Sequence, residues 1–96
     1  MKDIKIESII NNLNNINIID IRDNDVYNMG CIPNSRNIPM KFLLINPDYY
    51  LDKNSTYYIY CNRGFNSKRA CEILTTLGYN VINIIGGYEE YNLIDK

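Results

Sequence analysis

Cys61 is followed by the loop residues Asn62, Arg63, Gly64, Phe65 and Asn66, and then by Ser67, Lys68 and Arg69. Thiolate is the nucleophilic form of cysteine, and a short loop containing glycine can curl successive backbone amides around one sulfur. From about Ser67 the apolar residues Ala70, Ile73, Leu74 and Leu77 follow helical spacing, while Thr56 to Tyr60 upstream is a β-favouring run. Cys61 therefore stands where strand becomes helix. Open α/β sheets bind ligands beyond the carboxyl ends of their strands, and the N–H groups of a following helix attract anions. Ser67 is the expected helix cap. Lys68 and Arg69, placed in the first turn, oppose the helix dipole at about 0.3 to 1 kcal/mol each, a placement that makes better sense beside a bound anion.

What activates the thiol is narrowed by composition. The chain has no histidine, which rules out Ser-His-Asp and Cys-His catalysis within it and makes a zinc or haem site improbable. No metal or organic cofactor is expected. Cys31, Cys61 and Cys71 cannot all pair within one chain, and none belongs to a Cys-x-x-Cys arrangement. Cys71 lies beside Ala70 and Leu74 on the helix face and is expected in the core. Cys31 is expected to be a half-buried structural thiol in preference to a resolving partner of Cys61, since nothing in the sequence places the two within disulfide reach.

With 96 residues, 46% of them hydrophobic, residues 1–96 are expected to form a single domain with an ordinary core. A formal net charge of −1 gives no reason to expect nucleic acid. The segment MKDIKIESIINNLNNINIID interrupts its apolar residues with charges and asparagines, so neither a signal peptide nor a membrane span is expected there. Free thiols and the lack of an export signal make a reducing cytoplasm the expected compartment.

The elements that must position Cys61 are read from periodicity. Asp3 to Ile6 reads as a short strand, and Glu7 to Leu13 as a weak amphipathic helix with Ile9, Ile10 and Leu13 on one stripe. Ile16 to Ile21 is a nearly continuous β-branched run, the signature of a strand buried on both faces. Asp20 and Arg22 flank its end. Asp23 is placed to cap a short helix carrying Val26 and Tyr27 and stopping at Gly30. Residues 31–39 are turn chemistry around a brief extended piece, and Met40 to Ile45 is a helix broken before Pro47. Gly78 is placed to end the helix after Cys61. Val81 to Ile85 is the last buried strand, and Gly86 and Gly87 turn into a helix over Tyr88 to Ile94. Buried strands alternating with short helices predict an α/β fold: a small parallel sheet with helices on both faces.

Two stretches, in this order and spacing, resemble the rhodanese family over nearly the whole chain. IIDIRDNDVYNMGCIPNSRNIPM is similar to its amino-terminal signature, with an Asp-x-Arg strand end, a short helix, a Gly-His-Ile-Pro turn and an Asn-Ile-Pro. YIYCNRGFNSKRACEILTTLGYNVINIIGGYEEY is similar to its second half, with the cysteine loop, a Leu-Gly-Tyr cap and Gly-Gly before the last helix. The resemblance implies a rhodanese-like fold and sulfurtransferase activity through a persulfide on Cys61. Sulfane sulfur would pass from a donor such as thiosulfate or a persulfide to a thiophilic acceptor, a small molecule or a protein thiol. Asn62, Arg63, Gly64, Phe65, Asn66, Ser67 and Lys68 match the active loop, with Asp20 and Arg22 as supporting residues whose simplest role is to tie the strand end to neighbouring loops.

Two positions depart from the family pattern. Asn66 stands where many rhodaneses have arginine, and Cys31 where they have histidine. Competing readings are a persulfide carrier, a non-enzymatic regulatory module, and a Cys-dependent phosphatase or arsenate reductase. The last two use Cys-x5-Arg, whereas Ser67 follows Cys61 after five intervening residues, which argues against phosphoryl chemistry.

Overall fold

The computed structural model describes residues 2–94. Strands β1 (Lys2–Lys5), β2 (Asn17–Asp20), β3 (Ser35–Asn37), β4 (Thr56–Tyr60) and β5 (Asn80–Ile85) form one sheet in the order β1-β5-β4-β2-β3. Every adjacent pair is parallel. The central position of β4 follows from its sequence, since Tyr57, Ile59 and Tyr60 are all buried and leave neither face for water.

Period-two alternation distributes the strand residues between two cores. Ile19, Tyr57, Ile59, Cys61 and Val81 face a cluster completed by Leu43, Ala70, Cys71 and Leu74. Leu43 belongs to α2 (Met40–Ile45), and the other three belong to α4 (Phe65–Thr76). On the opposite face Ile18, Tyr60 and Ile84 pack with Ile6, Ile9, Leu13, Ile32 and Tyr91. Tyr91 comes from α5 (Gly87–Leu93). The sheet is thus covered on both sides, as its apolar runs predict.

Three expectations need correction. Glu7 to Leu13 is not an α-helix: two 3-10 turns, Ile6–Ser8 and Leu13–Asn15, carry the chain there. Asn11, Asn12, Asn14 and Asn15 favour turns through side-chain bonding to nearby backbone, and only Ile6, Ile9 and Leu13 are buried along this segment. The break before Pro47 lasts one residue, because Pro47 starts a further helical turn, α3 (Pro47–Tyr50), at the first position, where proline is favoured. Finally, α4 begins at Phe65 rather than near Ser67. Its N-cap is Gly64, and Ser67 lies inside the first turn with no capping role.

The remaining elements fall close to their predicted bounds. The short helix α1 (Asn24–Met29) begins after Asp23, which stands at the N-cap without a capping side-chain bond, and ends at Gly30. Gly78, at φ +96°, follows the last turn of α4, and its N–H bonds to Thr75 O. No helix among the described residues is long and apolar enough to cross a membrane.

Candidate active site

Cys61 leaves β4 on the face that α4 covers, and its residue is only 5% exposed. The chain then folds back around the sulfur. The amides of Gly64 and Ser67 donate to Sγ at 3.1 and 3.3 Å, and Ser67 Oγ lies 3.4 Å from it. Gly64 makes this curl possible. At φ +98° it occupies left-handed space, and a Cβ there would lie 2.9 Å from the Gly86 amide nitrogen.

The loop is also held from outside. Tyr88 N and Glu89 N, at the start of α5, donate to the carbonyls of Cys61 and Asn62 at 2.9 and 3.0 Å. Gly87 lets these backbones approach, since a Cβ at that position would strike both carbonyls. These two bonds fix the first two peptides of the loop, upstream of the Gly64 amide that meets the sulfur.

Cys61 opens into a cleft of about 680 Å3. One side is apolar, formed by Ile21, Val26, Pro39, Met40 and Leu44; Arg22, Asp23, Lys41, Asn62 and Asn66 supply the polar groups. Arg22 is not free to swing. Its Nε bonds both carboxylate oxygens of Asp20 at 3.0 and 3.1 Å, and its Nη2 reaches Asp20 Oδ2 and the Gly30 carbonyl, each at 2.7 Å. The guanidinium also lies 4.4 Å from the Tyr88 ring centroid and 5.7 Å from that of Tyr60. Burial pulls its pKa down, but the bonds and charge of Asp20 outweigh that and raise it. Asp20 and Arg22 therefore tie the end of β2 to the Gly30 turn and to α5, while Arg22 itself forms part of the cleft wall.

Tyr60, immediately before Cys61, anchors the other side of the same turn. Its hydroxyl accepts from Ile32 N at 3.0 Å and lies 3.0 Å from Ser35 Oγ. Burial pushes this phenol well up, so it stays neutral.

The loop side chains diverge. Asn62 and Asn66 border the cleft, and the same two residues with Arg63 and Phe65 border a smaller hollow on the outer side of Cys61. Phe65 is 77% exposed. Arg63 pairs with Glu89 at 3.1 Å on the surface. Lys68 borders a different depression, together with Asp3, Asn83 and Gly86. Because α4 starts at Phe65, Lys68 and Arg69 lie beyond its first three residues, where the dipole penalty fades. Their placement is thus no longer an argument for an anion. Cys71 is fully buried, and burial pushes its thiol up to about 12. Cys31 is half-buried beside Tyr27, whose phenol is raised first by burial and then by that thiol.

Sequence reasoning missed Met40, Lys41 and Leu44 on the cleft wall and Asn83 behind the sulfur. Ser67 Oγ donates to Asn83 Oδ1 at 2.6 Å. Asn83 carried a visible signal: it is the polar residue in the otherwise apolar run Val81 to Ile85. The α2 residues carried none, because only the tertiary fold brings that helix opposite Cys61.

A buried thiol at the carboxyl end of a central parallel strand, ringed by the amides of its own loop, defines a class of small cysteine-centred α/β domains. The rhodanese-like domain profile matches residues 5–93, and the chain belongs to that family. Among curated proteins it is similar to thiosulfate sulfurtransferase PspE of Escherichia coli K12, with 34% identity over 73 residues, 75% of this chain and 70% of that protein. It is also 30% identical over 76 residues to the adenylyltransferase and sulfurtransferase uba4 of Ogataea parapolymorpha; the match spans 78% of this chain but only 20% of that protein. Among solved structures, a rhodanese-like domain protein from Staphylococcus aureus superposes with a TM-score of 0.85 at 32% identity, covering 95% of this chain and 91% of that one. The fold is the rhodanese fold, and relatives named as sulfurtransferases place the chain in that broad family.

Proposed function

We propose that the protein is a sulfurtransferase acting by double displacement through Cys61. The deprotonated sulfur attacks the outer sulfur of a sulfane donor such as thiosulfate. A Cys61 sulfur–sulfur bond forms as the donor's sulfur–sulfur bond breaks, and sulfite leaves with the bonding electron pair. A thiophilic acceptor then attacks the terminal sulfur of the persulfide, and Cys61 departs as thiolate, ready for another cycle. The observation that carries this reading is the pair of amide donors at Cys61 Sγ, which favour negative charge on sulfur in the attacking and leaving states.

The cleft also bears on the donor and acceptor. Of its two cations, Arg22 is already committed to Asp20, which leaves Lys41, and Asn66 brings no charge. Its apolar side suits an organic persulfide or thiol, including a protein thiol, at least as well as a small inorganic ion. A cytoplasmic setting, where such thiols abound, belongs to the same proposal.

Intact-protein mass spectrometry after mixing with thiosulfate tests the chemistry. A gain of one sulfur atom is expected, lost on adding cyanide and absent in Cys61→Ser. No gain with either thiosulfate or an alkyl persulfide would overturn the proposal, and Cys61-dependent hydrolysis of an aryl phosphate would replace it with phosphatase chemistry.

A further inference from the structure

A second chain of polar contacts reaches Cys61 from behind, and its direction is fixed by chemistry at its far end. Asp3 on β1 stands opposite Asn83 on β5 in the parallel register. Asn83 Nδ2 donates to Asp3 Oδ1 at 3.1 Å, Ser67 Oγ to Asn83 Oδ1 at 2.6 Å, and Cys61 Sγ lies 3.4 Å from Ser67 Oγ. An ionised carboxylate only accepts, so Asn83 must turn its amide nitrogen to Asp3 and its oxygen to Ser67. A carboxamide oxygen cannot donate. The single hydroxyl proton of Ser67 is therefore spent on Asn83, and Ser67 presents a lone pair to the sulfur. Ser67 and Asn83 are 0% and 3% exposed, so water does not offer them alternative partners.

We infer that Asp3 and Asn83 are positioning residues that set the direction of the Ser67 hydroxyl, so that it accepts from the Cys61 S–H and does not donate to the sulfur. The Gly64 and Ser67 amides can serve the sulfur in either protonation state. The Ser67 hydroxyl, oriented in this way, serves only S–H. For it to donate to a thiolate, Asn83 must turn over, which brings its oxygen against the Asp3 carboxylate. Asp3 thus acts through two intermediaries on a sulfur it does not touch, and it lowers rather than raises the sulfur's readiness to react. The inference rests on Cys61 being the reactive thiol and does not depend on the sulfur donor.

Replacing Asp3 with asparagine removes the directional constraint, because an amide can donate as well as accept. Asn83 can then turn over, and Ser67 can donate to the thiolate. Alkylation of Cys61 by iodoacetamide at fixed neutral pH, followed by peptide mass spectrometry to separate it from Cys31 and Cys71, should rise about three- to tenfold in Asp3→Asn, the worth of one hydrogen bond. Asp3 is exposed on an edge strand, so this variant should fold. Loss of a negative charge beside Lys68 and Arg63 would also quicken alkylation, and two controls separate that cause. In a Ser67→Ala background the relay is absent, and Asp3→Asn should then have no effect. In molar salt, where the screening length falls to about 3 Å, the effect should persist with Ser67 present; this control stands even if Ser67→Ala fails to fold. An unchanged or slower rate, an equal rise in both backgrounds, or a rise abolished by salt would each overturn the inference. Thiosulfate turnover is scored separately: the expected alkylation pattern without sulfur transfer would keep the relay and reject the proposed function.

Discussion

The amide nitrogen of Gly64 lies 3.1 Å from Cys61 Sγ, and it is held there by a backbone at φ +98° that side chains oppose. Donor and conformation are supplied by the same residue. Gly64→Ala should therefore lose both stability and activity: about 1 to 2 kcal/mol in urea denaturation from left-handed strain and the clash with Gly86, and at least about tenfold in sulfur transfer as the donor moves away. A variant with wild-type turnover would show that this amide does not act on the reacting sulfur.

Asp20 is fully buried beneath Arg22, and its removal would leave a guanidinium without its carboxylate. Breaking an enclosed pair typically costs about 3 to 5 kcal/mol; since Arg22 also borders the open cleft, Asp20→Ala is expected at about 2 to 3 kcal/mol. Chemical denaturation at neutral pH measures this. A change below about 1 kcal/mol would mean that the pair is screened like a surface bridge.

Arg63 and Glu89 make such a surface bridge, and their separation should cost little. Arg63→Ala is expected to change stability by no more than about 0.5 kcal/mol. By contrast, Asn66→Arg brings a guanidinium to the cleft rim, at the position where many rhodaneses carry arginine, and should lower KM for thiosulfate several-fold with little change in folding. Steady-state kinetics with thiosulfate and cyanide separates the two effects.

Cys71 imposes a limit on alkaline stability. Burial raises its thiol from 9.0 in the ordinary case to about 12 in the folded chain. Below about pH 9 both folded and unfolded chains keep the proton, and the contribution is complete. Between about 9 and 12 only the unfolded chain releases it, so stability falls as pH rises, by at most about 1.4 kcal/mol per pH unit. Cys71→Ala should flatten that slope in urea titrations, leaving the part due to Tyr27, Tyr60 and Tyr91, which burial shifts in the same direction, and to Tyr79, raised by its bond to Asp48.

Much of the frame was legible because buried parallel strands announce themselves. Ile18 and Ile19, Tyr57 to Tyr60, and Val81, Ile82 and Ile84 are β-branched or aromatic, and turn residues bound them. The first part of the chain was less legible, since isolated isoleucines among asparagines fit a helical stripe and a pair of turns equally well. At the site, Cys61 and its loop were evident from their order alone. The role of Ser67 was not, because a serine near a helix start has two uses, capping or bonding inwards, and only the position of Gly64 decides between them. The α2 side of the cleft was illegible for a simpler reason: no spacing in sequence connects Met40 or Leu44 with Cys61.

The clamp of Tyr88 and Glu89 amides on the Cys61 and Asn62 carbonyls has a consequence for biosynthesis. Residues made later hold the first carbonyls of a loop made some two dozen residues earlier. A nascent chain paused on the ribosome before Gly86 carries its nucleophile without the two bonds that hold the Cys61 and Asn62 carbonyls. The loop around the nucleophile is therefore complete only once α5 has been made and has docked.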